Sequence, residues 1–375
     1  MPALTTFLDY VMATRPLKVT SVSDIINEAT KHQYVLSEML RNKKSEDILK
    51  GGSKLVDFIQ VADNGSYTKY QPNDNQTPVA VDTMKQIEVP WRFTSANFSW
   101  SDEEQELNYG DPDKYFDILT RYESGCVTSV VNGMEGDFWQ APSNADMESA
   151  SGKEPYSIPC FVNEFTNCLP TGFTTIMTLD PSTVTSWQNQ KGAYTSANRT
   201  SPSSATGILS AMDKVSRLVQ FAPIQFEPAK QYWENDDLRK MKIITSGEGR
   251  DTYKQILRSG NDRTASPQDA AYDNPTYSGY PIMWVDALDT AAIYNGPGVL
   301  SASHSSGVAT SGYPRYYFLN LNYLMPKFNK AAYFDKLQVK DGGANQPNRH
   351  VQYYRTWWNL WCSSRRRHGI VYPSA

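Results

Sequence analysis

The sequence predicts an α+β chain built around one long helix and one long two-stranded ribbon. Three observations carry that expectation. Across residues 111–139 apolar side chains recur every three and four positions; across residues 53–100 they alternate; and residues 158–312 interleave short apolar runs with Gly-, Ser- and Thr-rich loops, as a separate lobe does. A repeat of 3.6 puts side chains on one face of a helix and a repeat of 2 puts them on one face of a strand, so the change of period marks a change of element.

The helical face is formed by Tyr115, Ile118, Leu119, Tyr122, Cys126, Val127, Val130, Val131, Met134 and Phe138. Asp111 suits the N-cap, Pro112 the first helical position and Asp113 the first turn, where an acid meets the positive end of the helix dipole. A helix of about 26 residues is roughly 40 Å long. Gly125, Gly133 and Gly136 interrupt the pattern, each at about 1 kcal/mol against Ala, which predicts something pressed against the helix backbone.

Ahead of the helix, residues 1–20 read as an extended arm with one apolar cluster (Leu4, Phe7, Leu8, Val11, Met12), and residues 21–43 as a helix with Ser21 and Asp24 as a capping pair. Gly51-Gly52 ends that segment. The first ribbon arm, KLVDFIQVAD, leads to Asp63-Asn64-Gly65-Ser66, and Asn-Gly between β-prone runs is a strong hairpin signal. A polar tip occupies residues 71–79. On the return, Ile87, Val89, Trp91 and Phe93 alternate with Glu88, Pro90, Arg92 and Thr94. Pro90 cannot donate to a ladder, which argues for an edge or exposed strand. A lone two-stranded ribbon is barely stable in water. Two readings follow: one hairpin of a larger sheet, or an arm that lies across another subunit.

Behind the helix comes a polar linker at 143–157. The lobe carries expected strands at 173–179, 241–246 and 281–288, expected helices near 208–221 and 249–258, and loops at 188–206 and 295–313. Two further strands are expected at 315–325 and 350–364. No internal repeat is visible.

Composition narrows the function. A chain of 375 residues with 39% hydrophobic and 20% charged residues has an ordinary globular balance and can build a core without staples. A net charge of −4 argues against a dedicated nucleic-acid binder or a membrane-surface protein. The 23 Tyr, 14 Phe and 9 Trp favour strands and large interfaces. Cys126, Cys160, Cys168 and Cys362 have no CxxC spacing and no nearby His, so we expect free thiols, a reducing compartment and no metal. The N-terminus lacks a basic region before its apolar part and no run reaches a membrane-spanning length, so neither a signal peptide nor a transmembrane span is expected.

Catalytic patterns are lacking. GEGRDT at 247–252 begins like a dinucleotide turn, but Thr252 stands where a third Gly belongs and no βαβ context is evident from sequence. There is no P-loop, HExxH, GxSxG elbow or EF-hand. His32, His304, His350 and His368 lie in different segments, and the acids at Asp102, Glu103, Glu104 and Glu106, like Asp236-Asp237, read as solvated. No enzyme activity and no cofactor are expected. Arg365-Arg366-Arg367-His368 reads either as a nucleic-acid patch or as a chain-terminal loop pairing with acids on a neighbour. The second fits the mildly acidic remainder better, since one cluster offers few phosphate contacts.

The order arm, helix, ribbon, long helix, lobe and returning strands resembles the major capsid protein of tailed bacteriophages, the Hong Kong 97-like fold. The likeness is carried by KGGSKLVDFIQ, NGSYTKYQ and QIEVPWRFTSANFSWSDEEQELNYGDPDKYFDIL, which look like the extended E-loop entering the spine helix of the P-domain. PIMWVDALD and RYYFLNLNYL stand where the A-domain ends, and WNLWCSSRRRHGIV looks like the closing strand and basic tail. The resemblance implies segments 1–45 (arm and helix), 46–110 (E-loop ribbon), 111–157 (spine helix and linker), 158–312 (A-domain) and 313–375 (return to the P-domain with strand and basic tail). It implies a structural protein that assembles as hexamers and pentamers of an icosahedral shell around double-stranded DNA, resident in the virion and assembled in the bacterial cytoplasm, without membrane. Implied partners are copies of itself, a portal protein, a separate scaffolding protein and, optionally, a decoration protein. A separate scaffold is expected because fewer than 50 residues precede the ribbon. Some family members crosslink a Lys to an Asn with help from a Glu; no such trio is assigned here. The expected assembly residues are Asn64, Gly65, Trp91, Phe93, Tyr115, Tyr122, Arg365, Arg366 and Arg367. The competing reading is an aromatic-rich β-protein of a phage tail or a carbohydrate-binding module.

Overall fold

A computed structural model describes residues 35–41, 48–62, 65–75, 82–103, 112–140, 144–170, 172–219, 241–260, 275–288, 314–341 and 348–374. The chain forms two compact units. The larger takes residues 32–92, 135–330 and 358–375; the smaller takes 1–31, 93–134 and 331–357. The chain crosses between them inside the helix Pro112–Trp139 and inside the strand Arg349–Cys362.

The larger unit contains a mixed sheet of six strands among the described residues, in the order Gln190–Thr195, Gly369–Ser374, Tyr316–Asn320, Met241–Thr245, Tyr280–Trp284, Thr276–Tyr277. The helix Ile208–Val219 buries Ile208, Ala211, Met212, Val215 and Val219, a spacing that makes one apolar stripe. That stripe shares a core with Ile243, Phe318 and Val371. Gly369 is needed at the sheet because a Cβ there would drive into the Val215 side chain.

Several expected elements changed on folding. Residues 173–179 do not make a strand: Ile176 and Leu179 close a tight turn whose central residues, Met177 (φ 54°) and Thr178 (φ 68°), are left-handed. The run at 315–325 splits into Tyr316–Asn320 and Leu324–Asn329, because the Asn320 side chain accepts the Asn322 N–H at 3.0 Å and folds the chain back. Tyr316–Asn320 and Gly369–Ser374 both lie in the lobe sheet, so residues beyond 313 supply lobe strands as well as the long strand Arg349–Cys362. A βαβ crossover is present: Met241–Thr245 and Tyr280–Trp284 are parallel, with the helix Gly247–Gly260 between them in sequence. Gly249 is nevertheless explained by packing, since a Cβ there would collide with Thr245 and Pro314. Of the helix expected over 21–43, Val35–Arg41 is observed and residues 21–34 and 42–43 lie outside the described residues, as does Asp111.

Two buried side chains fix the junctions of the larger unit. The Glu135 carboxylate accepts the Val35 and Leu36 N–H groups at 3.2 and 3.0 Å, capping the helix Val35–Arg41, and also accepts Trp139 Nε1–H at 3.2 Å. Arg92 is 1% exposed. Its guanidinium faces five backbone carbonyls at 2.5–3.0 Å: Nε donates to Glu154, Nη1 to Gly152, and the two Nη2 protons are shared among Asp146, Met147 and Ser149. The polar linker is thus wrapped around one cation. A Cβ on Gly152 would run into the Asp146 carbonyl of this ring. Gly152→Ala should therefore cost about 1–3 kcal/mol, the range for overpacking, read as a lower urea midpoint at unchanged m-value.

In the smaller unit the strand Arg92–Ser101 pairs with Arg349–Cys362, whose residues 350, 351, 354 and 355 also pair with the short strands Lys340–Asp341 and Asp335–Lys336. Phe98 stacks on Tyr354 (6.5 Å) and lies near Trp100 (5.6 Å) and Tyr122 (6.5 Å). Tyr354 donates its hydroxyl to Glu123, and Lys336 Nζ reaches the same carboxylate at 3.0 Å. The Tyr354 hydrogen bond holds the Glu123 carboxyl below its ordinary range. The expected close approach to the helix glycines is not found: no described atom lies within 4 Å of a Cβ placed on Gly125, Gly133 or Gly136.

Candidate assembly surface

The ribbon consists of Lys54–Gln60 and Met84–Pro90, antiparallel in a register that sets Leu55 opposite Val89, Asp57 opposite Ile87 and Phe58 opposite Gln86. Because side chains alternate, one face carries Leu55, Ile87 and Val89, all buried. The other face carries Val56, Phe58 and Met84, which are 46%, 59% and 48% exposed. Phe58 lies opposite Gln86, two residues along from Met84, within diagonal reach on the same face. Lys54 pairs with Glu88 on that face. Beyond the ribbon, Tyr67 and Tyr70 are strongly exposed, and Gly65 is exposed and left-handed (φ 62°). Asn64 lies outside the described residues.

The root of the ribbon is clamped. Trp91 Nε1–H donates to the Gly52 carbonyl at 3.0 Å, and Gly51 and Gly52 adopt φ of 71° and 90°, which favours glycine. Asn359 Nδ2–H donates to the Pro90 carbonyl at 2.7 Å, while its Oδ1 accepts the Tyr156 N–H at 2.9 Å. Trp91 is 5% exposed, so it supports the ribbon from inside the subunit rather than touching a neighbour. The expected alternation holds through Ile87 and Val89 and fails beyond them: the strand breaks at Trp91, Arg92 is buried and Phe93 is exposed.

Farther out, the ribbon rests on the loop of residues 172–189. Glu88 N–H donates to the Met177 carbonyl at 3.4 Å, the Thr178 hydroxyl approaches the Gln86 carbonyl at 3.4 Å, and the Ser186 hydroxyl donates to the Val61 carbonyl at 2.8 Å. The loop is held from below: Met177 N–H donates to the Tyr156 hydroxyl at 3.0 Å and Trp187 Nε1–H to the Ile176 carbonyl at 3.2 Å.

The arginine run corrects the expectation of an exposed basic tail. Residues Arg365–Arg367 form a single tight turn, and Arg365 is 0% exposed. Its Nε donates to the Phe161 carbonyl (2.9 Å), Nη1 to Trp187 (3.0 Å) and Nη2 to Cys168 (2.8 Å). The guanidinium lies 6.0 Å from the Trp187 ring. Burial pushes its pKa down to about 10, so it still carries its charge near neutrality. A guanidinium is the one side chain with enough planar donors to satisfy such a ring of carbonyls. Arg367 is buried over the Tyr323 ring at 4.1 Å, and only Arg366 of the three is exposed. Phe93, in the smaller unit, is strongly exposed and meets Trp357 edge-on at 5.0 Å. Tyr122 is half-buried against Phe98, and for Tyr115 the helical backbone alone is described. The geometry thus groups Gly65 with the ribbon and places Trp91 and Arg365 inside, and the sequence reading missed Val56, Phe58 and Met84. The alternation of Val56 and Phe58 with Leu55 and Asp57 was the signal available for them.

The four cysteines are free and buried, and burial raises Cys160 and Cys362 to about 12, which keeps them protonated and unreactive. Among the described residues no cluster of His, Cys, Asp and Glu is placed to hold a metal ion, and no helix is long and apolar enough to cross a membrane.

One buried group, His368, and one half-buried group, Asp137, set opposite pH slopes. Burial, then the charges of Arg365 and Arg367, push His368 down to about 3. Its Nδ1 accepts the Asn320 N–H at 3.1 Å, so it is built in neutral. The unfolded chain binds a proton here below its ordinary 6.5 while the folded one does not, so stability is lost as pH falls from about 6.5 toward 3. Asp137 is raised to about 7, chiefly by burial and then by Glu154. Here the folded state holds the extra proton, so stability is lost as pH rises from about 4 to about 7. Denaturation midpoints against pH should show a shallower acid limb in His368→Gln and a flatter neutral limb in Asp137→Asn.

No family model and no curated protein sequence matches the chain. Solved structures do. The capsid asymmetric unit of cyanophage A-1(L) is similar at a TM-score of 0.55 and 12% identity, over 92% of this chain and 96% of that one. The capsid of an empty GTA particle is similar at 0.52 and 10% identity, over 99% of both chains. The capsid asymmetric unit of cyanophage Pam1 is similar at 0.50 and 12% identity, over 96% and 99%. Identities this low speak to architecture, and the matches cover 92–99% of this chain. The chain has the Hong Kong 97-like fold of phage major capsid proteins.

Proposed function

We propose that this chain is the repeating subunit of a phage capsid, assembling with copies of itself as hexamers and pentamers of an icosahedral shell around double-stranded DNA. The observation that carries the reading is the ribbon. It is two strands wide, projects the exposed residues Val56, Phe58 and Met84, and belongs to a chain whose whole length has a capsid fold. An apolar ribbon face is stabilised by lying on another subunit, and many modest contacts repeated over a closed shell add up by multivalency.

The role is structural rather than catalytic, and its place is the virion. In this proposal residues 54–90 serve as the ribbon arm, since the strand Arg92–Ser101 pairs with Arg349–Cys362 instead, residues 111–157 as spine and linker, and residues 158–312 as the main part of the lobe. A portal protein, a separate scaffolding protein and optionally a decoration protein are its partners, and assembly takes place in the host cytoplasm. The net charge of −4 suits a wall facing packed DNA, which it would not bind tightly. A carbohydrate-binding module is not favoured, because the capsid likeness leaves little of the chain over for one.

Light scattering after size exclusion, with negative-stain microscopy of the same peak, tests the proposal on the chain expressed alone and with its genomic neighbours. Closed particles, tubes or six-fold rings are expected. A monomer or trimer under every condition would sink it.

A further inference from the structure

Resting on the shell reading, we infer that the loop of residues 172–189 is a cradle that sets the ribbon's angle within the subunit, and that Thr178 and Ser186 are its positioning residues for shell closure. The ribbon strand Met84–Pro90 pairs with Lys54–Gln60 on one edge. On its other edge the Met177 carbonyl accepts the Glu88 N–H, and the Thr178 hydroxyl faces the Gln86 carbonyl. The turn thus acts as a stub of a third strand, with a side-chain hydroxyl standing where a strand would present an N–H. That hydroxyl's one proton is shared, since the Met177 carbonyl lies 2.6 Å away. Ser186 grips the opposite arm of the ribbon at Val61, 2.8 Å away. The cradle therefore touches both arms of the ribbon, one through its Met177–Thr178 turn and the other, just past Gln60, through Ser186.

Two features mark this as more than incidental packing. Thr178 is exposed yet β-branched at a φ of 68°, a conformation where Gly or Asn is far cheaper. A strained residue persists where its surroundings over-determine it, and here Tyr156 and Trp187 fix the turn from inside. The loop's far end is set by Arg365, which binds the Trp187 carbonyl next to Ser186. Arg365 thus reaches the ribbon through the loop, without being at a surface.

The test removes both hydroxyls and keeps the turn: Thr178→Val with Ser186→Ala, made in the full chain. Hydrogen exchange on the unassembled subunit should show ribbon amides at 54–60 and 84–90 exchanging about tenfold faster, with the lobe sheet unchanged. Assembly reactions should give open sheets or particles of mixed diameter, and the conservative pair Thr178→Ser, Ser186→Thr should restore wild-type particles. Wild-type ribbon protection together with wild-type particle diameters in the double variant would overturn the inference. Should the double variant fail to fold, each single variant carries the same two readouts. A wild-type chain that never forms particles would instead remove the shell reading, and with it the cradle's role in closure, whatever the exchange data show.

Discussion

Replacing Arg365 by Met is expected to lower the melting temperature by about 10 °C and abolish shells. Two backbone carbonyls, of Phe161 and Trp187, would lose their donors in a fully buried site, and that of Cys168 would keep only Asn163 Nδ2–H. Each unsatisfied buried acceptor costs about 1–3 kcal/mol. Removing the desolvated cation gives some of that back, so a net loss of about 3 kcal/mol is reasonable. At about 2–4 °C per kcal/mol for a unit of this size, that is the shift named. Arg365→Lys should lose nearly as much, because one ammonium on a thin stem cannot span carbonyls contributed by three separate stretches of chain. Thermal melts followed by circular dichroism decide the matter. A melting point within about 2 °C of wild type would mean that the carbonyl ring is satisfied some other way.

The second large effect concerns assembly rather than folding. Val56→Ser, Phe58→Ser and Met84→Ser together should leave the subunit folded, since all three side chains are already exposed and surface changes stay within about 0.5 kcal/mol. Each is about half exposed, so burying what remains against a neighbour is worth about 1 kcal/mol apiece. Every ribbon contact in a shell would thus be weakened by several kcal/mol, and closure multiplies that loss over all contacts. We expect capsomers or monomers with native circular dichroism and no closed particles in size exclusion. Substituting Trp91, by contrast, should damage the subunit itself, because its indole N–H is used on Gly52.

Much of this architecture was legible from periodicity. The helix Pro112–Trp139, the ribbon strands, the helix Ile208–Val219 and the strands at 241–245 and 280–284 all follow repeats that a packed face imposes. What was not legible depended on tertiary partners. Nothing in RRRH says that the first arginine enters a ring of carbonyls contributed by residues 161, 168 and 187. Nothing in FTTIMTL says that Met177 and Thr178 turn left-handed, since the run is rich in β-branched residues whose strand propensity the surroundings of Tyr156 and Trp187 override. The proposed assembly face was hidden for a related reason. Alternation set Trp91 and Phe93 on one face, but the strand breaks at Trp91, and which side chains stay uncovered is decided by the rest of the fold, which covers Leu55 and Val89 and leaves Val56 and Phe58 bare.

The most direct test of the central claim is a cryo-electron-microscopy reconstruction of particles formed by the wild-type chain. We expect an icosahedral shell of pentamers and hexamers in which Val56, Phe58 and Met84 are buried against an adjacent copy. Particles whose ribbons point into solvent, or no closed particles at all, would contradict it.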